Sequence, residues 1–253
     1  MKSVLLLFLF LVLSASQRDV VWAAEQITPG KSIDLLNDEY KEDDQPSESP
    51  VYDPLEPMNR VFFEFNDKLY FWVLKPVKTG YAAVVSEDIR QCIGNFFDNL
   101  SSPVSLLNNL LQGRFDDAGV VLSRFLINST LGIYGFGDAA STAFDMKPRP
   151  ADFGQTLGVY GFGDGVYFCW PVLGPSNIRD SVGFAADLLT NPTAFMDLEM
   201  SVRMTKYMGE KVNLMSLSPD VYEDLKKLSL DPYVATRQAM FEFRQNQIEK
   251  QKR

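Results

Sequence analysis

The stretch PMNRVFFEFNDKLYFWVL, Pro57 to Leu74, decides the fold class of this 253-residue chain. Wound at about 100° per residue, it gathers Asn59, Arg60, Glu64, Asn66, Asp67 and Lys68 into less than half of a helical circumference. Phe62, Phe65, Leu69, Trp72 and Val73 cover the opposite face, and Phe63, Tyr70 and Phe71 intrude on the polar side. An ordinary surface helix carries a narrower apolar stripe. This one calls for burial on nearly every side, by protein or by lipid, and composition leaves that choice open.

Reading outward toward the C-terminus gives more helices. NFFDNLSSPVSLLNNLLQG, Asn95 to Gly113, predicts two short helical pieces broken at Pro103 and stopped by Gly113 as a C-cap. RFDDAGVVLSRFLINSTLG opens with Asp116 and Asp117, which favour a helix N-terminus. It sets Val121, Leu122 and Phe125 on one face and ends at Gly132. From Ile133 to Ser176 the chain is dense in glycine and aromatics, has no helical period, and reads as a long packed loop with brief helical turns. Loops this long inside a domain are usually functional. Ser176 is the expected cap of a further helix striped by Ile178, Val182, Ala185 and Leu189. Asn191-Pro192, Ser218-Pro219 and Asp231-Pro232 each give a cap-plus-proline start. The first of these helices is expected to run to Gly209, and the last carries Tyr233, Met240 and Phe241 before turning basic at Lys250, Lys252 and Arg253. The expectation is an all-α single domain over residues 52–253.

Toward the N-terminus, Lys2 precedes an unbroken apolar run from Val4 to Leu13. Ten helical residues reach only about 15 Å, half of a hydrocarbon core of about 30 Å, which suits an export signal better than a membrane span. Ser14 to Ser16 and Ala23-Ala24 offer two cleavage points, and the second, with Val21 at −3, places the signal peptide at residues 1–23. Residues 24–51 form an acidic, proline-punctuated leader expected to be disordered. Of the net charge of −9, most lies here: Ala24 to Glu56 holds ten acidic and two basic residues. A basic footprint for nucleic acid is absent. No later stretch has the roughly 18 uninterrupted apolar residues of a spanning helix.

Histidine is absent, which removes His-based triads, His metal sites and the usual general base near neutral pH. Gly158, Gly161, Gly163 and Gly165 lack the following Lys-Ser/Thr and preceding strand of a phosphate loop. Asp138, Asp145, Asp152, Asp164 and Asp180 form no diagnostic pair, and Ser101, Ser129 and Ser176 have no activating base. No enzyme activity, cofactor or metal is therefore expected. Cys92 and Cys169 either pair in an oxidising compartment or remain buried free thiols; spacing does not decide.

Four stretches in order carry a resemblance. They are DPLEPMNRVFFEFN (Asp53 to Asn66), NFFDNLSSPVSLLNNLLQG (Asn95 to Gly113), RFLINSTLGIYGFGDAA (Arg124 to Ala140) and DFGQTLGVYGFGDGVYFCWPVLGPSNIRDSVG (Asp152 to Gly183), with a weaker fifth in DPYVATR (Asp231 to Arg237). Together they resemble the MlaA/VacJ family. The resemblance implies a ring-like helical protein in the inner leaflet of a bacterial outer membrane, beside a trimeric porin. Its amphipathic channel would take phospholipid misplaced in the outer leaflet and pass it to a periplasmic lipid-carrier protein. Phe65 and Asn66 are then expected near the channel and its gating hairpin, and Phe62, Gln112 and Asn128 along the passage. Arg60, Arg124 and Arg179 either line it or pair with carboxylates inside the ring. Many members are acylated on a cysteine at the signal cleavage site, whereas the first cysteine here is Cys92. The other expectation kept open is a porin-associated helical scaffold that moves no lipid.

Overall fold

The computed structural model describes residues 51–196 and 199–252. The expected signal peptide, and all but the last residue of the expected leader, lie outside the described residues. Helix α1 (Glu56–Leu69) has Pro57 in its first turn, where a missing amide hydrogen costs nothing. It runs through a π-helical turn (Tyr70–Leu74) into α2 (Lys75–Val84). Pro76 has no N–H with which to keep the α-helical register, and the Lys75 amide bonds five residues back to the Tyr70 carbonyl. The first sequence stretch is thus longer than its apolar pattern indicated.

Helix α3 (Glu87–Leu111) is continuous, so the expected break at Pro103 does not occur. Proline withholds one backbone bond, and packing against several neighbours holds the helix across the gap. Gly113, at φ +72°, ends it as expected: its amide bonds Leu110 O at 3.0 Å and the Arg114 amide bonds Asn109 O at 2.9 Å. Helices α4 (Phe115–Thr130) and α5 (Ala139–Phe144) follow, α5 capped by Asp138. Helix α6 (Phe153–Val159) opens on a capping box between Asp152 and Gln155.

Strands β1 (Tyr167–Trp170) and β2 (Gly174–Asn177) pair antiparallel, Tyr167 opposite Asn177 and Trp170 opposite Gly174. The region from Ile133 to Ser176 is therefore not one long loop; it holds two short helices and a hairpin, all too brief for a period to register. Helix α7 (Ile178–Thr190) is capped by Asn177, not Ser176, with Asp180 N donating to Asn177 Oδ1 at 2.8 Å. Asn191-Pro192 caps only a 3-10 turn (Pro192–Ala194). The helix expected there, α8 (Met200–Leu217), begins later and continues past Gly209. Helices α9 (Val221–Leu228) and α10 (Pro232–Lys252) complete the chain.

The packing closes a ring. Helix α2 lies on α8, α8 on α3, α3 on α6, α6 on α10, α10 on β2, and β1 on α1, which continues into α2. Helices α4, α7 and α9 pack on α3, α6 and α10 respectively. The fold is the expected all-α ring, with one hairpin inserted.

Its interior holds buried polar side chains alongside apolar ones. Asn59, Asn108, Asn109, Asn177 and Asn213 are shut off from solvent, and Arg90, Arg179 and Arg244 are buried. Large apolar side chains are exposed on every helix of the first half and on the π turn, including Trp72 (75% exposed) and Phe115 (71%). The apolar stripe of α7 also faces out at Ile178, Val182 and Leu189. A period shows that two faces differ without saying which is inside. The apolar cluster that does exist is small: Tyr167, Cys169, Tyr233, Met240 and Phe241, with Phe62 and Phe63 packed against it.

Candidate functional site

Two asparagines seven residues apart on α1 hold the hairpin. The sheet has two strands, so one edge of β1 is open, and Asn59 fills it. Its Nδ2 donates to Tyr167 O at 3.2 Å, and its Oδ1 accepts from Cys169 N at 2.9 Å. Asn66 repeats the pattern at the turn that follows, donating to Trp170 O at 2.8 Å and accepting from Val172 N. Seven helical residues rise about 10.5 Å and three extended residues advance about 10 Å, so both side-chain amides meet the chain in register. Val172 sits at φ +71°, a region that β-branched residues avoid, and the Asn66 carbonyl holds its amide there.

Beside this turn lies a half-open pocket of about 170 Å³, walled by α1, the π turn, α2, the hairpin, the end of α8, the start of α9 and Thr236 of α10. Asn66, Tyr70, Leu74 and Lys78 face it at four-residue intervals. In a regular α-helix such a series drifts about 40° per step; the wider π turn reduces that drift and keeps the four in line. π turns recur at functional sites. Phe63, Leu173 and Met215 supply apolar wall, and Lys78 and Asp220 supply its charge. Lys78 is ion-paired with Asp220, and Lys75 Nζ lies 2.7 Å from Glu223 Oε1. Tyr70 OH donates to both carboxylates, at 3.3 Å and 3.2 Å. The bond from Lys78 holds Asp220 below the usual carboxylate range, and Lys75 does the same for Glu223.

Cys169 lines the same cavity as a free thiol, pushed up to about 12 by burial. The disulfide considered for Cys92 and Cys169 is not formed, and the alternative of two buried thiols holds only for Cys169. Cys92 is exposed on α3, so the two sulfurs lie in different surroundings.

Among the other residues singled out from sequence, Phe62 packs on the apolar cluster and Phe65 is exposed. Arg60 bonds Glu56 and Asp231, each at 2.8 Å, and lies over the Tyr233 ring. Gln112 donates to Thr156 at 2.9 Å. Arg124 grips Asp138 through two bonds of 2.9 and 3.0 Å, and Asn128 donates to the same carboxylate at 3.0 Å. Burial works against the Asp138 charge, but Arg124 and its neighbours hold it below the usual range. Arg179 bridges Asp164 at 2.7 Å and Asp180 at 3.0 Å. Asn66 is the one member of this set that lines the cavity.

Sequence reading missed Asn59, Tyr70, Lys78, Asp220 and the hairpin itself. The proline at 76 signalled the change of register, but the partners across the ring had no local signal. Among the described residues no cluster of three or more His, Cys, Asp and Glu side chains is placed to hold a metal ion. No helix among them is long and apolar enough to cross a membrane.

A helical ring with exposed apolar side chains, buried polar ones and a pocket that has both kinds of wall is the class of protein defined here. The profile of the family described as MlaA lipoprotein matches residues 51–247, and the chain belongs to that family. It is 35% identical over 193 residues to the intermembrane phospholipid transport system lipoprotein MlaA of Shigella flexneri, covering 75% of this chain and 76% of the relative. The protein of the same name from Escherichia coli K12 is 34% identical, and an uncharacterised protein of Rickettsia bellii is 32% identical over 203 residues, or 79% of this chain and 78% of that one. A solved structure described as the structural basis for maintenance of bacterial outer membrane lipid asymmetry superimposes with a TM-score of 0.69 at 32% identity. It matches over 78% of this chain and 99% of its own.

Proposed function

We propose that this chain is a non-enzymatic component of phospholipid transport in a bacterial outer membrane. It takes phospholipid misplaced in the outer leaflet through the ring and passes it to a periplasmic lipid-carrier protein, the ring lying in the inner leaflet beside a trimeric porin. The observation that carries the reading is the combination of large exposed apolar side chains, buried hydrogen-bonded polar ones, and an amphipathic pocket at the hairpin. Exposing the roughly 30 methylenes of two acyl chains to water would cost on the order of 20 kcal/mol at ~0.8 each. A passage must therefore shelter the tails while wetting the headgroup. The family membership and the names of the relatives support the same reading. A cavity of about 170 Å³ is close to the ~150 Å³ that admits a benzene-sized guest, so lipid passage requires this point to widen. Displacement of the hairpin, which Asn59 and Asn66 tie to α1, would widen it. Mass spectrometry of protein extracted from membranes in mild detergent tests the proposal. Intact diacyl phospholipid at near-stoichiometric amounts is the expected result. A lipid-free protein would overturn the proposal and leave a porin-associated scaffold.

A further inference from the structure

We propose that Lys78 and Asp220 form a headgroup-reading site for zwitterionic phospholipids, Lys78 facing the phosphate and Asp220 the ammonium. This rests on the lipid-passage reading and names which lipids the passage admits.

Lys78 and Asp220 are the two charged residues among those lining the cavity, and they carry opposite signs. They are paired with each other, and the adjoining Lys75 and Glu223 are paired as well, so the mouth is neutral. A headgroup with both an ammonium and a phosphate can exchange into the Lys78–Asp220 pair with each charge finding an opposite partner. A headgroup with a phosphate alone would satisfy Lys78 and strand Asp220 beside a like charge, and stranding one member of an ion pair is costly.

The depths agree with the chemistry. The Lys78 side chain is only 15% exposed, whereas that of Asp220 is 49% exposed. In a phospholipid the phosphate adjoins the glycerol and acyl chains, and an ethanolamine ammonium lies farther out. With its tails toward Phe63, Leu173 and Met215, such a lipid brings its phosphate to the deeper lysine and its ammonium to the outer aspartate. Tyr70 spans Asp220 and Glu223 and holds the carboxylate in place during the exchange.

The test uses the full chain in mild detergent, offered equal amounts of phosphatidylethanolamine and phosphatidylglycerol and read by native mass spectrometry. The parent protein is expected to enrich phosphatidylethanolamine about tenfold, the ratio that ~1.4 kcal/mol sets. Asp220→Asn is expected to return the ratio to that of the mixture, and Lys78→Gln to lower total bound lipid. Asp224→Asn, one turn further on in α9 and outside the cavity lining, should keep the enrichment, which excludes a general effect of net charge. Melting temperatures of all variants are read alongside. Bound lipid with no enrichment in the parent protein, or an Asp220→Asn protein that keeps the enrichment, overturns the headgroup site and leaves lipid passage standing. In the second case a lowered melting temperature would make the pair a tie between α2 and α9 only. A parent protein that binds neither lipid removes the passage reading itself.

Discussion

Asp187 sits where burial, with Asp152 nearby, pushes its carboxyl up to about 7 from an ordinary 3.8. Phe153 N donates to its two oxygens at 3.2 and 3.0 Å and Asn108 donates at 3.0 Å; these bonds, and Arg244 after them, act in the opposite sense without overcoming the burial. The folded protein thus keeps a proton that the unfolded chain releases between these two values. The stability it contributes is complete below the ordinary range and is lost as pH rises through about 7, at up to ~1.4 kcal/mol per pH unit. Thermal melts from pH 5 to 8 should fall by about 2–4 °C for each kcal/mol lost. The same series on Asp187→Asn should be flatter, and an unchanged slope would remove Asp187 as the cause. Most of the polar residues in the sequence motifs have a comparable, structural occupation. Asp53 of the first motif meets Tyr233 and Arg237 of the last, and Arg60 meets Asp231. Asp152 and Asp180 share Arg244, at 2.7 and 3.0 Å.

Helices α6 and α7 approach so closely that a Cβ at Gly183 would lie 2.2 Å from the Gly154 amide nitrogen. Gly183→Ala should therefore part the two helices and with them the Arg179, Asp180 and Arg244 cluster. The expected cost is ~1–3 kcal/mol, read as an earlier midpoint in urea with the helical signal retained beforehand; an unshifted midpoint would contradict the contact. At this scale the chain is partly readable. The Asp231-Pro232 start, the Gly113 stop and the acidic first turn of α4 act locally, and each lies where residues within four positions put it. The π turn, the uninterrupted α3 and the hairpin depend on distant partners: Asn59 is 108 residues from the carbonyl it binds. The same holds for the cavity, where Asn66 was legible through its motif and Lys78 and Asp220, 142 residues apart, were not.

Over the whole ring, exposed Ile178, Val182 and Leu189 belong to an outer surface that water solvates poorly. Replacing all three with Glu should largely keep the helical content, since much of each side chain is already exposed. It should weaken partition into phospholipid vesicles, because each lost apolar insertion forfeits about 1.5–3 kcal/mol. Flotation with vesicles measures this, and undiminished flotation would place the membrane-facing surface elsewhere. The asparagine-filled interior has one more consequence, for how stability varies with temperature. Uncovering apolar surface raises the heat capacity on unfolding, and uncovering amides and charges lowers it. A ring that hides so much of the second kind unfolds with a small heat-capacity increment, and its stability curve is correspondingly broad and flat, falling only slowly in the cold as in the heat.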